Sequence, residues 1–348
     1  MPAPPEAALA ILRRWLNGEA PTTSQQQRLL ALERTLPSPP PIERRVQHFC
    51  QLAPEILQRA PQWGIDSPNR GLWLLWQLWL PLALQLASAC DRAHRPIMQG
   101  ILGLQGTGKT TLAAAVSGVL ARLGYRALSL SLDDLYAPYE QRQQLQAQDP
   151  RYAWRGPPGT HDVAAGVQVL ADARQGWFPL SVPRFDKSAR GGVGDRTAPE
   201  RVAAADLVLF EGWFLGARPV RDRALANAPA PITTDADRAF ARDVNRRLSN
   251  YLLLWAHLDR LLVLEPSDYG FSKQWRQQAE RQAREAGKAG MSDAEVAQFV
   301  DYFWRSLPPE LFVAPLTADP NLVEAVVRVN ADRSLGAIYR PGESGESD

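Results

Sequence analysis

Cysteine is scarce in this sequence. The two present, Cys50 and Cys90, do not stand in a C-x-x-C spacing. A disulfide framework is therefore not indicated, and we expect a reduced, cytoplasmic protein. The four histidines form no H-E-x-x-H or similar set, so the sequence predicts no zinc site. Charge excess is also lacking, because the formal net charge is +2, and no general nucleic-acid surface is expected.

Lysine is the second scarce residue. Only four of the 39 basic residues are lysines, namely Lys109, Lys187, Lys273 and Lys288. Lysine carries a compact charge that the planar guanidinium of arginine does not reproduce, so a lysine kept in an arginine-rich chain suggests a specific task. Lys187 and Lys273 become candidates on this ground, whereas Lys288 is interpreted as a surface residue.

We also expect no secretory leader, because residues 1–5 are not a basic stretch followed by an apolar core. One apolar stretch, residues 72–86, could be mistaken for a membrane span. Gln77, Pro81 and Gln85 interrupt it, and it is shorter than the ~20 residues that a span needs. We therefore expect a buried helix and no membrane partner.

The pattern of apolar residues divides the chain into two parts and a tail. Residues 1–95 show helical spacing at 7–16, 24–36, 42–57 and 72–89, with a proline-rich connector at 37–41. From residue 96 to 340, short apolar strands alternate with helices, which predicts a parallel sheet flanked by helices. The expected fold class is α/β, a P-loop NTPase-type domain with an N-terminal helical extension. Residues 341–348 form a polar tail.

The strongest motif lies at residues 103–111, which match G-x-x-x-x-G-K-[ST], between an apolar strand and a helical pattern. Glycines in such a loop let backbone N–H groups approach phosphate, while the lysine reaches the β- and γ-phosphates and the next hydroxyl binds Mg²⁺. The residues predicted to bind ATP here are Gly103, Gln105, Gly106, Thr107, Gly108, Lys109, Thr110 and Thr111.

Carboxylates follow the other predicted strands. Asp133 and Asp134 end the strand at 127–132, Glu211 ends the one at 207–210, and Glu265 ends the one at 261–264. Ligands bind at the carboxyl ends of strands in open α/β sheets. One of the two aspartates would accept a proton from a substrate hydroxyl and order the Mg²⁺ shell, and Glu211 would hold the metal. The alternative for the aspartates is an acidic turn that caps a helix.

Two loops and one helix complete the candidate site. A glycine–proline loop at 155–162 opens a helix, and residues 182–196 combine Arg, Lys, Asp and Gly, which suits a small anionic, hydroxylated substrate. The alternative is a solvated, mobile loop. The predicted helix 272–286 carries Lys273, Arg276, Arg281 and Arg284 on one side, as a lid over ATP would, and the alternative is a solvated helix with local ion pairs.

Motifs that the sequence lacks exclude several classes of P-loop protein. The sequence has no N-K-x-D motif for guanine, no ABC-type signature and no acidic pair after the third strand. From the residues alone, the function that we infer is a kinase of a small anionic alcohol. A nucleoside or pantothenate-like kinase and an ATP-switched protein that binds a partner remain alternatives.

Taken together, these motifs resemble the D-glycerate 3-kinase family, a branch of P-loop kinases related to uridine kinase, phosphoribulokinase and pantothenate kinase. The likeness runs from about residue 100 to 329. It rests on the loop 103–111 and on these segments: L-D-D-L-Y at 132–136, R-G at 155–156, G-T-H-D at 159–162, V-P-R-F-D-K-S at 182–188, G-D-R at 194–196, F-E-G-W at 210–213 and G-M-S-D at 290–293.

The resemblance implies ATP-dependent phosphorylation of D-glycerate at its 3-hydroxyl, as in photorespiratory glycolate salvage. It implies Asp133 as the base, with Asp134 as the second candidate. Arg184, Lys187 and Arg190 would hold the glycerate carboxylate or the transferred phosphoryl group. The remaining candidates are Lys109 and Glu211 for catalysis, Arg276 for ATP, Thr110, Asp133 and Glu211 for Mg²⁺, and Tyr136, Arg155, His161, Asp162 and Asp186 for the substrate.

Overall fold

The computed structural model describes residues 5–33, 36–285, 287 and 290–342. The chain begins with three helices, α1 (Glu6–Leu16), α2 (Thr23–Leu32) and α3 (Ile42–Arg59). α2 ends four residues before the predicted position, of which 34 and 35 lie outside the described residues. The backbone leaves the helix at Glu33, whose carboxylate accepts two 2.6 Å hydrogen bonds from the buried guanidinium of Arg45. A buried charge needs such a partner. The ion pair with Arg45 therefore stabilises the chain more than another turn of α2 would.

One helical run among the described residues, Pro68–Ala93, is long and apolar enough to span a membrane by length and composition. It comprises α4 (Pro68–Leu74), a π-helical stretch (Leu75–Trp79) and α5 (Leu80–Ala93). The predicted bounds of 72–89 were too short, and the run begins earlier because Ser67 caps it and Pro68 suits its first turn. Its most apolar window is 83% buried inside the protein, as expected of a core helix.

A six-stranded sheet forms the centre, in the order β10-β9-β8-β1-β7-β2, parallel except for the β9–β10 pair. Two small antiparallel pairs, β3–β6 and β4–β5, lie outside it. The strands are β1 (Ile97–Gly103), β2 (Ala127–Ser131), β3 (Leu180–Val182), β4 (Phe185–Asp186), β5 (Asp195–Arg196), β6 (Glu200–Val202), β7 (Leu207–Gly212), β8 (Arg260–Pro266), β9 (Ala325–Val329) and β10 (Leu335–Tyr339).

The connections supply the remaining helices. They are α6 (Lys109–Arg122), α7 (Tyr139–Gln148), α8 (Val163–Gln175), α9 (Asp222–Ala226), α10 (Asp235–Leu248), α11 (Leu252–Trp255), α12 (Phe271–Glu285), α13 (Asp293–Ser306) and α14 (Pro309–Phe312). Short 3₁₀ turns follow α3 (Ala60–Trp63) and β2 (Leu132–Leu135). The predicted α/β fold with a parallel sheet and flanking helices is confirmed.

Side chains that alternate along each strand divide the interior into two apolar layers. On β1, Ile97 and Ile101 join the layer that contains α6 and the helices before residue 95, whereas Met98 and Leu102 join the layer with α8, α10 and α13. The N-terminal helices thus share a core with one face of the sheet. The division of the chain at residue 95 stays a prediction, and residues 343–348 of the predicted tail lie outside the described residues.

Candidate active site

The phosphate loop joins the carboxyl end of β1 to the first turn of α6. Gly106 and Gly108 have φ angles of +79° and +93°, in the left-handed region that favours glycine. A Cβ on Gly106 would lie 2.5 Å from the Cβ of Trp275, so this position also excludes side chains for lack of space. The Thr107 hydroxyl closes the turn by donating to the Leu104 carbonyl at 2.8 Å. The loop therefore presents the N-terminus of α6, where backbone N–H groups favour phosphate.

Lys109 is held inside this loop. Its Nζ donates to the Leu104 carbonyl at 3.1 Å. Burial lowers the pKa of Lys109 below its ordinary value of 10.5, while the carboxylates of Glu211 and Asp133 oppose that shift and Lys187 adds to it. Four of the predicted catalytic residues therefore interact electrostatically at one place.

The other residues predicted to bind ATP differ in their hydrogen bonds and packing. The Thr111 hydroxyl donates to the Trp63 carbonyl at 3.0 Å, which ties α6 to the turn after α3. The Gln105 side-chain oxygen is buried and has no hydrogen-bond partner among the described residues. Gly103 is closely packed, because a Cβ there would lie 2.5 Å from the Thr107 hydroxyl.

Two of the residues predicted to bind Mg²⁺ contact each other, because the Thr110 hydroxyl donates to the Glu211 carboxylate at 3.1 Å. β7 extends through Glu211, which is therefore within the strand rather than after it, and only 8% exposed. No group of three or more His, Cys, Asp or Glu among the described residues would hold a metal alone. Mg²⁺ is commonly bound by one or two protein oxygens with substrate phosphates and water, so Thr110, Glu211 and Asp133 fit this ion.

Glu211→Gln is expected to raise the Mg²⁺ concentration that gives half-maximal activity on the order of tenfold. Glutamine keeps the acceptor for Thr110 but removes the negative charge that the ion requires. Activity would be measured across a Mg²⁺ titration at saturating ATP. Glu265→Gln is the matched control, since this carboxylate on β8 bonds to Arg328 and Tyr339 instead. Equal Mg²⁺ dependence in both variants would contradict the assignment.

The two aspartates after β2 have different surroundings. Asp133 pairs with Lys187, with Oδ2 and Nζ 2.6 Å apart. Asp134 instead accepts the backbone N–H of Ser131 at 2.9 Å and pairs with Arg184 at 2.8 Å. Asp134 thus caps the 3₁₀ turn, which was the alternative interpretation, whereas Asp133 faces the phosphate loop and its lysine.

Asp133 remains ionised near neutral pH. Burial raises its pKa, but the ammonium of Lys187 and the hydroxyl of Tyr136 outweigh this, so the pKa lies below its ordinary value of 3.8. Burial and the neighbouring Asp133 raise the pKa of Tyr136 well above 10, so that its hydroxyl stays a donor. Asp133 is therefore a carboxylate ready to accept a hydrogen bond.

His161 lies behind Tyr136. The two rings stack with centroids 4.5 Å apart, and their backbones form an isolated β-bridge. The Tyr251 hydroxyl accepts the N–H of Gly159 at 3.0 Å and lies 2.7 Å from His161 Nδ1. His161 Nε2 is buried and has no hydrogen-bond partner among the described residues. His161 therefore keeps one ring nitrogen available for a polar group of the substrate.

Acid is expected to destabilise the protein partly through His161. Burial lowers the pKa of His161 to about 3. The unfolded chain takes up a proton below pH 6.5 and the folded one does not, so stability falls as the pH drops below 6.5. His161→Gln should reduce the loss of unfolding free energy between pH 7.5 and 5.0 by about 2 kcal/mol, measured by urea unfolding. His94→Asn, at an exposed left-handed position, should leave that loss unchanged.

Ion pairs and hydrogen bonds hold the loop at 182–196 in place. Arg184 also pairs with Glu200 and donates to the Ser129 carbonyl, so contacts within the protein occupy its guanidinium. Arg190 pairs with Asp195 at 3.1 Å. Asp186 accepts from the N–H and hydroxyl of Ser188, which shapes the turn next to Lys187. Lys187 is the cation of this loop that reaches Asp133, and its side chain remains 61% exposed.

The loop at 155–162 packs against the loop at 182–196. Arg155 donates to the carbonyls of Gly192 and Val193 and lies over the ring of Tyr136. Asp162 caps α8, as the prediction of a helix opened by this loop requires, and pairs with Arg196 at 3.1 Å. The roles of these side chains as substrate ligands stay predictions.

Some contacts of the site join residues that are far apart in the sequence. Arg196 joins Asp162 to the Tyr136 carbonyl, and Tyr251 orients His161 from about 90 residues away. Arg142 donates to the carbonyls of Val193 and Gly194. These contacts depend on the tertiary fold. The G-D-R motif around Arg196 was a recognisable signal, but nothing in the sequence marked Tyr251 or Arg142.

The basic residues of α12 form ion pairs, which favours the alternative of a helix with ion pairs over a lid. Arg276 lines the cavity beside the phosphate loop and pairs with Glu280. The other three basic residues are bound to α13, because Lys273 pairs with Asp301 and both Arg281 and Arg284 pair with Asp293. The acidic side chains of α13 thus neutralise three of the charges that a lid would use, and a role of Lys273 in the site stays a prediction. Lys288 lies outside the described residues.

Comparisons with known proteins show the family to which the chain belongs. No family model matches the chain. D-glycerate 3-kinase, chloroplastic, of Arabidopsis thaliana is 32% identical over 246 residues, 66% of this chain and 52% of the plant protein. The chain thus spans about half the length of that relative. The uncharacterized kinase mug58 of Schizosaccharomyces pombe is 33% identical over 218 residues, 60% of this chain and 79% of the fungal protein.

Among solved structures, the D-glycerate 3-kinase of Cryptococcus neoformans var. grubii superposes with a TM-score of 0.65 and 25% identity, over 74% of this chain and 97% of that chain. The parallel sheet, the phosphate loop and the carboxylates on neighbouring strands define a protein of the P-loop kinase class. The chain belongs to the D-glycerate 3-kinase family, and the resemblance seen in its motifs is confirmed.

Proposed function

We propose that the protein phosphorylates D-glycerate at its 3-hydroxyl with ATP and Mg²⁺, giving 3-phospho-D-glycerate and ADP. The names of the plant and Cryptococcus relatives support this substrate. The observation that carries the proposal is the 2.6 Å pair of Asp133 and Lys187 next to the phosphate loop. A carboxylate beside a cation suits an acceptor alcohol that carries a negative charge.

In the proposed reaction, a bond forms between the glycerate 3-oxygen and the γ-phosphorus while the bond from that phosphorus to the bridging β–γ oxygen breaks. ADP leaves with the electron pair, and the hydroxyl proton passes to Asp133. The low pKa of Asp133 makes it a weak base, so its main part is to orient the hydroxyl and to accept the proton late in a loose transition state. Lys109 stabilises the charge on the transferred group, which Mg²⁺, when bound, shares.

The acceptor side suits a small hydroxy acid. Lys187 supplies a cation, and Tyr136 and His161 supply polar groups on buried rings that contact each other. Arg155 lies over Tyr136 and adds positive charge at the rim. We place this activity in the cytoplasm and in photorespiratory glycolate salvage, in which this product is formed.

A substrate panel tests the proposal. Purified protein with Mg-ATP would be incubated with D-glycerate, L-glycerate, uridine or pantothenate, and ADP and phosphorylated products would be measured. Phosphoglycerate from D-glycerate alone is the expected result. Phosphorylation of uridine or pantothenate, with no phosphoglycerate formed, would contradict D-glycerate as the substrate and assign the other compound instead. ATP turnover that no small alcohol changes, but that a protein partner raises, would favour an ATP switch.

A further inference from the structure

A cavity of about 340 Å³ extends from the phosphate loop toward the N-terminal helices. On one side it is lined by residues 106–112 of the loop and of α6, and by Trp275 and Arg276 of α12. On the other side, the helical segment before residue 95 contributes Gly64, Ile65, Arg70, Leu74, Leu78 and Trp79. Its volume falls within the range of small-molecule sites. The N-terminal segment, which carried no chemistry in the sequence, therefore borders the predicted nucleotide site.

This N-terminal wall is fixed to the phosphate-binding helix. Besides the bond from Thr111 to the Trp63 carbonyl, the Trp63 ring packs on Gly118 of α6, where a Cβ would lie 2.9 Å from it. Trp63 also meets Trp79 of the long helical run edge to face at 5.9 Å. The wall and the loop are thus positioned together.

Two of the arginines that line the cavity are hydrogen-bonded to each other. Arg70 donates to the Arg333 carbonyl at 3.1 Å, and Arg333 donates to the Trp275 carbonyl at 3.2 Å. The Nε groups of both are buried and have no hydrogen-bond partner among the described residues. Burial lowers the pKa of both guanidinium groups, Asp332 opposes this for Arg70, and the charge of Arg70 adds to it for Arg333. Acceptor atoms of a ligand would satisfy these donors.

We propose that the adenosine half of ATP lies in this cavity, with the N-terminal segment as its wall and Arg70 and Arg333 as donors to the base and the ribose. The phosphates have their own donors in the loop backbone and Lys109, so the remaining space belongs to the rest of the nucleotide. Apolar Leu74, Leu78 and Trp79 suit a flat purine ring. Purine nitrogens and ribose oxygens are acceptors that guanidinium groups recognise. The inference rests on the proposed function only in naming ATP.

The test compares ATP with inorganic tripolyphosphate, which has the phosphates but no adenosine. Binding of each, with Mg²⁺ and without an acceptor, would be measured by isothermal titration calorimetry on the full chain. Arg70→Ala and Arg333→Asn should each weaken ATP binding on the order of tenfold and change tripolyphosphate binding less than about twofold. Asparagine is chosen at position 333 because φ there is +61°. Arg28→Ala, an exposed arginine on α2, is the matched control and should change neither.

Two outcomes would overturn the inference. Equal losses for ATP and tripolyphosphate would assign the arginines to the phosphates, and unchanged ATP binding in both variants would remove the N-terminal segment from the site. Thermal unfolding of each variant checks that the fold is retained, and the two arginines lie on separate elements, so one variant remains informative if the other is unstable. Because no acceptor is present, failure to phosphorylate D-glycerate would refute the proposed function and leave this result standing.

Discussion

Replacing Lys109 with alanine is expected to lower kcat with D-glycerate on the order of 10³-fold. The ammonium is the one cation of the phosphate loop. It interacts electrostatically with the carboxylates of Glu211 and Asp133. Its charge opposes the charge that builds on the transferred phosphoryl group, and alanine has nothing to replace it. Steady-state kinetics with a coupled ADP assay would measure the loss.

The same variant should fold at least as well as the parent chain. Burial lowers the pKa of Lys109, which means that the folded state disfavours its charged form and that the lysine costs stability below pH 10.5. The Leu104 carbonyl keeps its bond from the Thr107 hydroxyl, so no acceptor is orphaned. Thermal unfolding should therefore show an equal or higher Tm. Lys273→Ala, which removes a lysine bound to α13, should keep kcat. Near-normal kcat in Lys109→Ala would contradict the assignment of the loop.

Local signals in the sequence were enough to place the donor side of the site. A glycine loop between an apolar strand and a helix can be recognised from about 20 residues, because its backbone demands are local. The same holds for carboxylates at strand ends, since parallel strands bring these ends to one edge of the sheet. The order β1-β7-β2 then sets Glu211 between the loop and Asp133.

The aspartate pair shows where local signals stop. Asp133 and Asp134 are adjacent and follow the same strand, so the sequence could not separate them. The 3₁₀ turn separates them, because it turns Asp134 back onto the Ser131 N–H and leaves Asp133 to Lys187. The partner of Asp134, Arg184, is 50 residues away and belongs to a different loop.

Long-range packing accounts for the other differences. The basic residues of α12 looked like a lid because their partners on α13 could not be seen from spacing along one helix. The wall formed by residues 64–79 was missed for the same reason, since its residues read as ordinary core and meet the phosphate loop only in the tertiary fold. The scarcity of lysine singled out both Lys187, which pairs with Asp133, and Lys273, which pairs with Asp301 of α13, because scarcity does not say which task a lysine has.

Asp133→Asn is expected to lower kcat on the order of 10³-fold while the Kd for ATP stays within about twofold. Asparagine has the same shape and keeps an acceptor for Tyr136, but it takes up no proton and no longer neutralises Lys187. Asp134→Asn is the matched variant on the neighbouring residue. Its carboxylate holds Ser131 and Arg184, so it should lower the Tm and change kcat less than about tenfold. Measuring kcat, Kd for ATP and Tm for both variants separates a catalytic from a structural carboxylate, and a large kcat loss confined to Asp134→Asn would move the base to that residue.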